Sequence, residues 1–122
     1  MSRPDTFFNL DDLSAGIART LAPGLDTRVF PGEQAMLSVV TIAPNCGGSV
    51  HSHPEEQWGV MLEGSGIRTQ DGVEVPVGVG DFWRTPGGVE HGFRAGSDGA
   101  RVLDIFAPPR EAYKKAGSGF AS

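Results

Sequence analysis

Residues 49–64 read SVHSHPEEQWGVMLEG. His51 and His53 are two positions apart in this stretch, so on an extended chain both imidazoles project from the same face. Gln57 follows shortly after, beyond a corner at Pro54. A second stretch, GDFWRTPGGVEHGFRA at residues 80–95, brings His91 out of a Pro-Gly-Gly turn. The chain has only three histidines, and because all of them lie in these two stretches, we expect them to converge on one metal ion.

The composition favours a single all-β domain. A chain of 122 residues suits one compact core, and its 18 glycines are spread between short apolar runs, as in a chain with many turns. The net charge of -5 argues against nucleic acid or an anionic membrane as a partner. The longest apolar run, residues 36–42, is too short to span a bilayer. The one cysteine, Cys46, cannot form an intrachain disulfide, so we expect a cytoplasmic protein.

The order of short apolar runs predicts an antiparallel sandwich or small barrel of about eight strands. Residues 1–34 read as an irregular arm that packs on the barrel, residues 35–107 as the barrel itself, and residues 108–122 as a short helix and tail. Asp71-Gly72 predicts a tight hairpin, and the helix is expected to begin near Pro109 and end at Gly117. The expected strands are residues 35–42, 49–53, 57–63, 67–70, 73–77, 81–85, 91–95 and 100–106.

The donor set predicts a metal centre with four protein ligands. Three imidazoles, from His51, His53 and His91, and the amide oxygen of Gln57 would leave positions open for water or substrate. Because none of these ligands is charged, the ion would keep its full 2+ charge. We expect one divalent transition ion, and this donor set suits Zn, Ni, Fe or Mn. The competing interpretation is that the histidines are ordinary hydrogen-bonded or surface residues.

Both histidine stretches resemble the conserved motifs of the cupin family. GSVHSHPEEQWGVMLEG is similar to the first cupin motif, and GDFWRTPGGVEH matches the second throughout. The resemblance implies a single cupin domain, an RmlC-like antiparallel β-barrel or jelly roll. The sequence departs from the family pattern at Asn45, where glycine usually begins the first motif, at Gln57, where the usual ligand is glutamate, and at Ala95, where the second motif often ends in asparagine.

A narrower resemblance covers most of the chain. FFNLDDL, LAPGLDTRVFPGEQAMLSVV, HSHPEEQ and VLDIFAPPREAY resemble the KdgF group of small cupins, which open the ring of unsaturated uronates released from pectin and alginate. That group also uses glutamine as its fourth ligand, so the departure at Gln57 supports the narrower resemblance. Its working side chains correspond here to Asp104, Phe106 and Arg110, which implies catalytic roles for Asp104 and Phe106 and a substrate-binding role for Arg110.

The residues themselves are compatible with these roles. Asp104 is a carboxylate on an otherwise apolar strand, so we expect it either to pair with a cation or to have a functional role. Arg110 follows two prolines and could swing over the cavity mouth, where its planar guanidinium suits a substrate carboxylate. The alternative is that Asp104 pairs with another arginine and Arg110 is a solvated charge at the helix start. Phe93 shares a face with His91, and Met61 shares a face with Gln57, so both are assigned to substrate binding.

Three functions compete at this point. The first is a metal-dependent cupin enzyme that opens the ring of unsaturated uronates, with Asp104 moving the proton. The second is an oxygen-using cupin of the dioxygenase type, and the third is a cupin that binds a sugar acid without turnover. Strand parity turns Trp58, Val60 and Leu62 away from the metal ligands, so this apolar stripe predicts a homodimer. Parity leaves the orientations of Trp83 and Arg84 open.

Overall fold

The computed structural model describes residues 3–120. Nearly all of its regular structure is β-strand, and the one helix is a single 3-10 turn at Glu111–Lys114. No helix in this described range is long and apolar enough to cross a membrane. The strands are β1 Ile17–Ala22, β2 Leu25–Pro31, β3 Met36–Ile42, β4 Glu56–Gln70, β5 Val73–Gly78, β6 Phe82–Thr85, β7 His91–Ala107 and β8 Gly117–Ser118.

The strands form one 8-stranded sheet in the order β5-β4-β7-β3-β2-β1-β8, with β6 paired to β4. The pairings are antiparallel except for β1 with β8. This confirms the predicted all-β architecture of jelly-roll type. The sheet is not a closed barrel, however, because its end strands β5 and β8 do not meet and β8 has only 2 residues.

The prediction of an irregular arm over residues 1–34 is wrong for its second half. Residues 17–31 contain β1 and β2, which pair with each other and extend the sheet from β3. Burial alternates along β2, but its buried positions include the polar Thr27 beside Leu25 and Val29. The alternation of apolar and polar residues that marks a strand is therefore not visible in the sequence, because a buried threonine is as polar as an exposed one. Residues 3–16 form turns and one isolated bridge.

Some of the remaining strand expectations are confirmed and others are not. The expected strand at residues 35–42 is confirmed as Met36–Ile42, and the hairpin is confirmed by φ values of 51° at Asp71 and 77° at Gly72. The expected strand at residues 49–53 is wrong, because His51 makes only an isolated bridge to His91. The expected strands at 91–95 and 100–106 are one continuous strand, β7.

Irregularities in β4 decide which of its side chains face inward. Gln57, Gly59 and Met61 are buried, as the predicted parity requires, and Trp58 faces outward. The pairing with β7 then shifts between Met61 and Glu63 and again between Gly64 and Gly66. The first shift places one extra residue in β4, which moves the side chains that follow to the other face, whereas the second shift places its extra residues in β7. After the shifts the buried positions of β4 are therefore even-numbered, Gly66 and Arg68.

Candidate metal centre

Three histidines from separate segments come together inside the sheet. His91 begins β7, His51 forms a bridge to it through two backbone hydrogen bonds of 2.9 Å, and His53 lies in the loop before β4. The loop is held to the turn before β7 by a hydrogen bond from the Gly88 amide to the His53 carbonyl, 2.8 Å long. One side-chain nitrogen from each histidine can be chosen so that all of them lie within 4.8 Å of one another.

Each imidazole is oriented by a backbone carbonyl two residues away. The Nδ1 atoms of His51, His53 and His91 lie 2.9, 3.1 and 2.9 Å from the carbonyls of Ser49, Glu55 and Val89. A carbonyl can only accept, so each Nδ1 carries a proton and each Nε2 is left with a lone pair. This is the arrangement that fixes the tautomer of metal-ligating histidines.

One of these lone pairs has no donor that would satisfy it. His91 Nε2 is buried and has no hydrogen-bond partner among residues 3–120. Burial lowers the pKa of His51 and His53, and it lowers the pKa of His91 to about 3. The three imidazoles are therefore neutral at ordinary pH, which is the form that binds a metal ion.

Gln57 supplies a fourth oxygen beside the imidazoles. Its Oε1 lies 2.9 Å from His53 Nε2, although with Nδ1 protonated both atoms are acceptors. Two ligands at right angles on an ion that each binds at about 2.1 Å lie about 3.0 Å apart. The amide group of Gln57 also donates a hydrogen bond to Asp104, which leaves its oxygen facing the histidines. The residues therefore fit a divalent ion, with Gln57 as the proposed fourth ligand.

The cavity beside this centre has a volume of about 50 Å³, which is room for a few water molecules. The predicted residues Phe93, Asp104, Phe106 and Arg110 line it together with the metal ligands His51, Gln57 and His91. Met61 is 1% exposed and belongs to the apolar core; it is not among the residues that line the cavity.

Asp104 places a carboxyl group in the cavity wall. Burial raises its pKa to about 6, against the opposing effects of the Arg68 charge and of the hydrogen bond from Gln57. The residue is half-buried and lines the cavity. A carboxyl group with this pKa can hold or release a proton near neutral pH.

Arg110 lies in the wall of the cavity and not over its mouth. It is 4% exposed, its Nε is 3.7 Å from Glu55 Oε1, and its guanidinium lies 4.4 Å from the ring centroid of Tyr113. It also donates a hydrogen bond to the Tyr113 hydroxyl. Its charge therefore already has an anionic partner within the protein.

Sequence reasoning did not assign Arg68, Tyr113 and Phe120 to the site, although they line the cavity. Parity counted from Gln57 places Arg68 outside, and only the extra residue between Met61 and Glu63 turns it inward. Tyr113 and Phe120 come from the C-terminal segment, which is held by Arg19 through hydrogen bonds of 2.8 to 3.3 Å to four of its carbonyls. No local signal in the sequence connects residue 19 to that segment.

Phe120, in the C-terminal segment, packs on one of the metal ligands. Its ring stacks on His51 with the centroids 4.2 Å apart. Gly48 makes room for it, since a Cβ there would come within 2.4 Å of the Phe120 ring. Because the cavity of about 50 Å³ is smaller than a sugar, we expect Phe120 to move when a sugar enters.

The two residues whose orientation parity left open are on opposite faces of β6. Trp83 faces inward, stacks on Phe93 at 6.2 Å and lines the cavity. Arg84 faces outward and forms an exposed ion pair of 3.1 Å with Glu56. Trp58 is 38% exposed on the same outer side as Arg84, as predicted.

Comparison with known proteins identifies the class to which this fold and centre belong. The profile of the cupin domain matches residues 38–106, so the chain belongs to the cupin family. This confirms the family that the two histidine motifs predicted. A divalent metal centre is also supported by structural similarity to the Bacillus subtilis oxalate decarboxylase, which has Mn(II) centres.

The proteins that this chain resembles have different names and activities. The chain is 36% identical over 89 residues to dimethylsulfoniopropionate lyase DddW from Ruegeria pomeroyi; the match covers 73% of this chain and 57% of that protein. An RmlC-like cupin from Shewanella frigidimarina is 24% identical with a TM-score of 0.78, over 93% of this chain and 99% of the other. KdgF from Halomonas sp. is 21% identical with a TM-score of 0.77, over 90% and 98% of the two chains.

Proposed function

We propose that this cupin is a metal-dependent enzyme that opens the ring of unsaturated uronates. The observation that carries the proposal is the buried carboxyl group of Asp104, which is hydrogen-bonded to Gln57 beside three neutral histidines. It is supported by the motifs shared with the KdgF group and by a fold like that of KdgF from Halomonas sp..

The reaction requires one proton to change position. Ring opening breaks the bond between the ring oxygen and the anomeric carbon, while the anomeric hydroxyl loses its proton and becomes an aldehyde. The ring oxygen becomes a ketone, and the far carbon of the double bond takes up a proton. No atoms are gained or lost, so a single carboxyl group that accepts one proton and returns another is sufficient.

The side chains divide these tasks. Asp104 accepts the hydroxyl proton on its carboxylate and returns a proton to carbon, for which a pKa of about 6 is well placed. A divalent ion held by His51, His53, Gln57 and His91 would supply Lewis-acid polarisation of a substrate oxygen. Phe106 packs against the His53 ring at 5.5 Å and, with Phe93, excludes water from the reacting atoms.

Charge favours an anionic substrate. A divalent ion with four uncharged ligands keeps its full charge, and Arg68 and Arg110 also line the cavity. The carboxylates of Asp104 and Glu55 do not balance these charges, so the cavity is net positive. A uronate carries one negative charge and is attracted to such a site.

A second candidate function is cleavage of dimethylsulfoniopropionate, favoured by the 36% identity to DddW. Its reaction is also a proton transfer next to a carboxylate, for which Asp104 would serve as the base. Its substrate carries a sulfonium cation, however, and the net positive cavity opposes that group. We therefore place it second.

The test is a pair of assays on one preparation of the purified protein, loaded in turn with Zn, Ni, Fe or Mn. Unsaturated uronates made with a pectate or alginate lyase are expected to lose their ultraviolet absorbance, and chelator-treated protein serves as the control. Dimethylsulfoniopropionate is assayed in parallel for release of dimethyl sulfide. Dimethyl sulfide release without any change in uronate absorbance would replace the first function by the second.

A further inference from the structure

We propose that Arg68, and not Arg110, binds the carboxylate of the substrate. This inference rests on the proposed function, because it assigns the anion-binding part of the same site. Arg68 belongs to β4, is 5% exposed and lines the cavity together with His91 and Asp104. It is therefore a buried cation that faces the space next to the metal ligands.

The side chain of Arg68 is held in one orientation by its neighbours. Its Nη2 donates to Thr85 Oγ1 at 2.7 Å, and its Nε donates to Gln70 Oε1 at 3.4 Å. Thr85 donates in turn to Gln70 at 2.7 Å, and the Gln70 amide donates to the backbone carbonyl of Arg84 at 2.8 Å. The ring of Trp83 supports the guanidinium at 5.6 Å. A guanidinium fixed on one side in this way loses little entropy when it binds a ligand.

Arg68 has N–H donors that the surrounding protein does not use. A guanidinium has five N–H groups, and in the described part of the chain Nη1 makes no hydrogen bond. No carboxylate oxygen of residues 3–120 lies within the 4.0 Å of an ion pair with Arg68. Asp104 acts on it only at longer range. Burying a cation without a close counter-ion is costly, and a substrate carboxylate in the cavity removes that cost.

Arg110 offers a contrast in the same cavity. It is ion-paired with Glu55 at 3.7 Å and hydrogen-bonded to Tyr113, and it lies over the rings of Tyr113 and Phe106. A ligand that recruited Arg110 would have to compete with Glu55. Arg68 has no such competitor, so the planar carboxylate of a sugar acid is expected to bind there.

The experiment compares binding of D-galacturonate and of neutral D-galactose to the metal-loaded protein by calorimetry. The variants are Arg68→Gln, Arg68→Lys and Arg110→Gln, with Arg84→Gln as the matched control because Arg84 is an exposed arginine on the neighbouring strand. Arg68→Gln should weaken galacturonate binding by about 10- to 100-fold, the usual value of a charge-assisted hydrogen bond. The galacturonate affinity of Arg68→Lys should lie between those of the wild type and Arg68→Gln, because lysine keeps the charge but not the paired donors.

Kinetics and stability separate binding from folding. With unsaturated uronate, Arg68→Gln should raise KM by a similar factor, since a carboxylate contact is made in both ground and transition states. Because the Arg68 charge also lowers the pKa of Asp104, kcat is compared in Arg68→Lys, which keeps that charge and should change kcat little. Metal content and the melting temperature should not fall, because the substitution removes a buried charge that has no close partner. Arg68→Lys provides the same readout if Arg68→Gln does not fold.

The outcomes distinguish this inference from the proposed function. If galacturonate affinity is unchanged in Arg68→Gln but drops in Arg110→Gln, Arg68 is not the anion-binding residue, and uronate turnover by the wild type is unaffected by that result. If the wild type turns over no uronate yet binds galacturonate through Arg68, the anion site stands and the proposed reaction is wrong.

Discussion

Raising the pH is expected to destabilise this protein through one residue, Tyr113. Its side chain is 2% exposed, and burial raises its pKa to about 12, with Asp104 acting in the same direction and Arg110 and Arg19 opposing it. In the unfolded chain the hydroxyl should ionise near the ordinary pKa of tyrosine, 10.0. Between these two pH values the folded state holds a proton that the unfolded state has lost, so the free energy of unfolding falls as pH rises.

The magnitude follows from the size of the shift. Each pKa unit corresponds to about 1.4 kcal/mol, so a shift of this size is worth about 3 kcal/mol. This stability is fully present below pH 10 and is lost as the pH rises to about 12. Such a loss is a large part of the stability of an ordinary small domain.

The assay is direct because the chain has a single tyrosine. Tyrosinate absorbance, followed against pH in the folded protein, should rise only near pH 12, while urea midpoints measured from neutral to alkaline pH should fall over the same range. In Tyr113→Phe the urea midpoint should depend less on alkaline pH. A tyrosine that titrates reversibly near pH 10 in the folded protein would refute the reasoning, because it would mean that the hydroxyl is accessible to water.

Three further predictions concern the cavity and the outer face. Asp104→Asn should keep its metal and lower kcat on unsaturated uronate by about 10²- to 10⁴-fold; near wild-type turnover would mean that another group carries the proton. Phe120→Ala should lower KM by about two- to tenfold, the value of one aromatic contact, because the substrate no longer has to displace the ring from His51. A higher KM would show that Phe120 contacts the substrate instead, and Val79→Ala, which truncates an exposed side chain, is the control. The chain is expected to be a homodimer by light scattering and Trp58→Glu a monomer; a wild-type monomer at micromolar concentration would contradict the predicted interface.

The metal centre could be predicted from the sequence because most of its residues are close to one another along the chain. His51 and His53 lie on one short segment, and Gln57 keeps a parity that the first part of β4 obeys. The carbonyls that orient the histidines come from residues two positions away, so they required no knowledge of the fold. His91 was placed by the motif around it, and the bridge to His51 shows how the two stretches meet.

The rest of the site depends on features that the sequence does not display. Arg68 faces inward only because one extra residue between Met61 and Glu63 reverses the parity of β4, and such a bulge is set by pairing with β7, not by local residue type. The strands β1 and β2 were missed because polar residues such as Thr27 occupy inward positions. Phe120 reaches His51 only because Arg19, about a hundred residues earlier, anchors the C-terminal segment.

The central claim is that one divalent ion binds to the three histidines and Gln57. The most direct test is elemental analysis of the purified protein and of His91→Ala, with far-ultraviolet circular dichroism to verify the fold. We predict one ion per chain in the wild type and loss of most of the metal in His91→Ala, with the β-sheet spectrum unchanged, because His91 Nε2 is the buried acceptor that has no other partner among residues 3–120. Full metal occupancy in a folded His91→Ala protein would contradict the account.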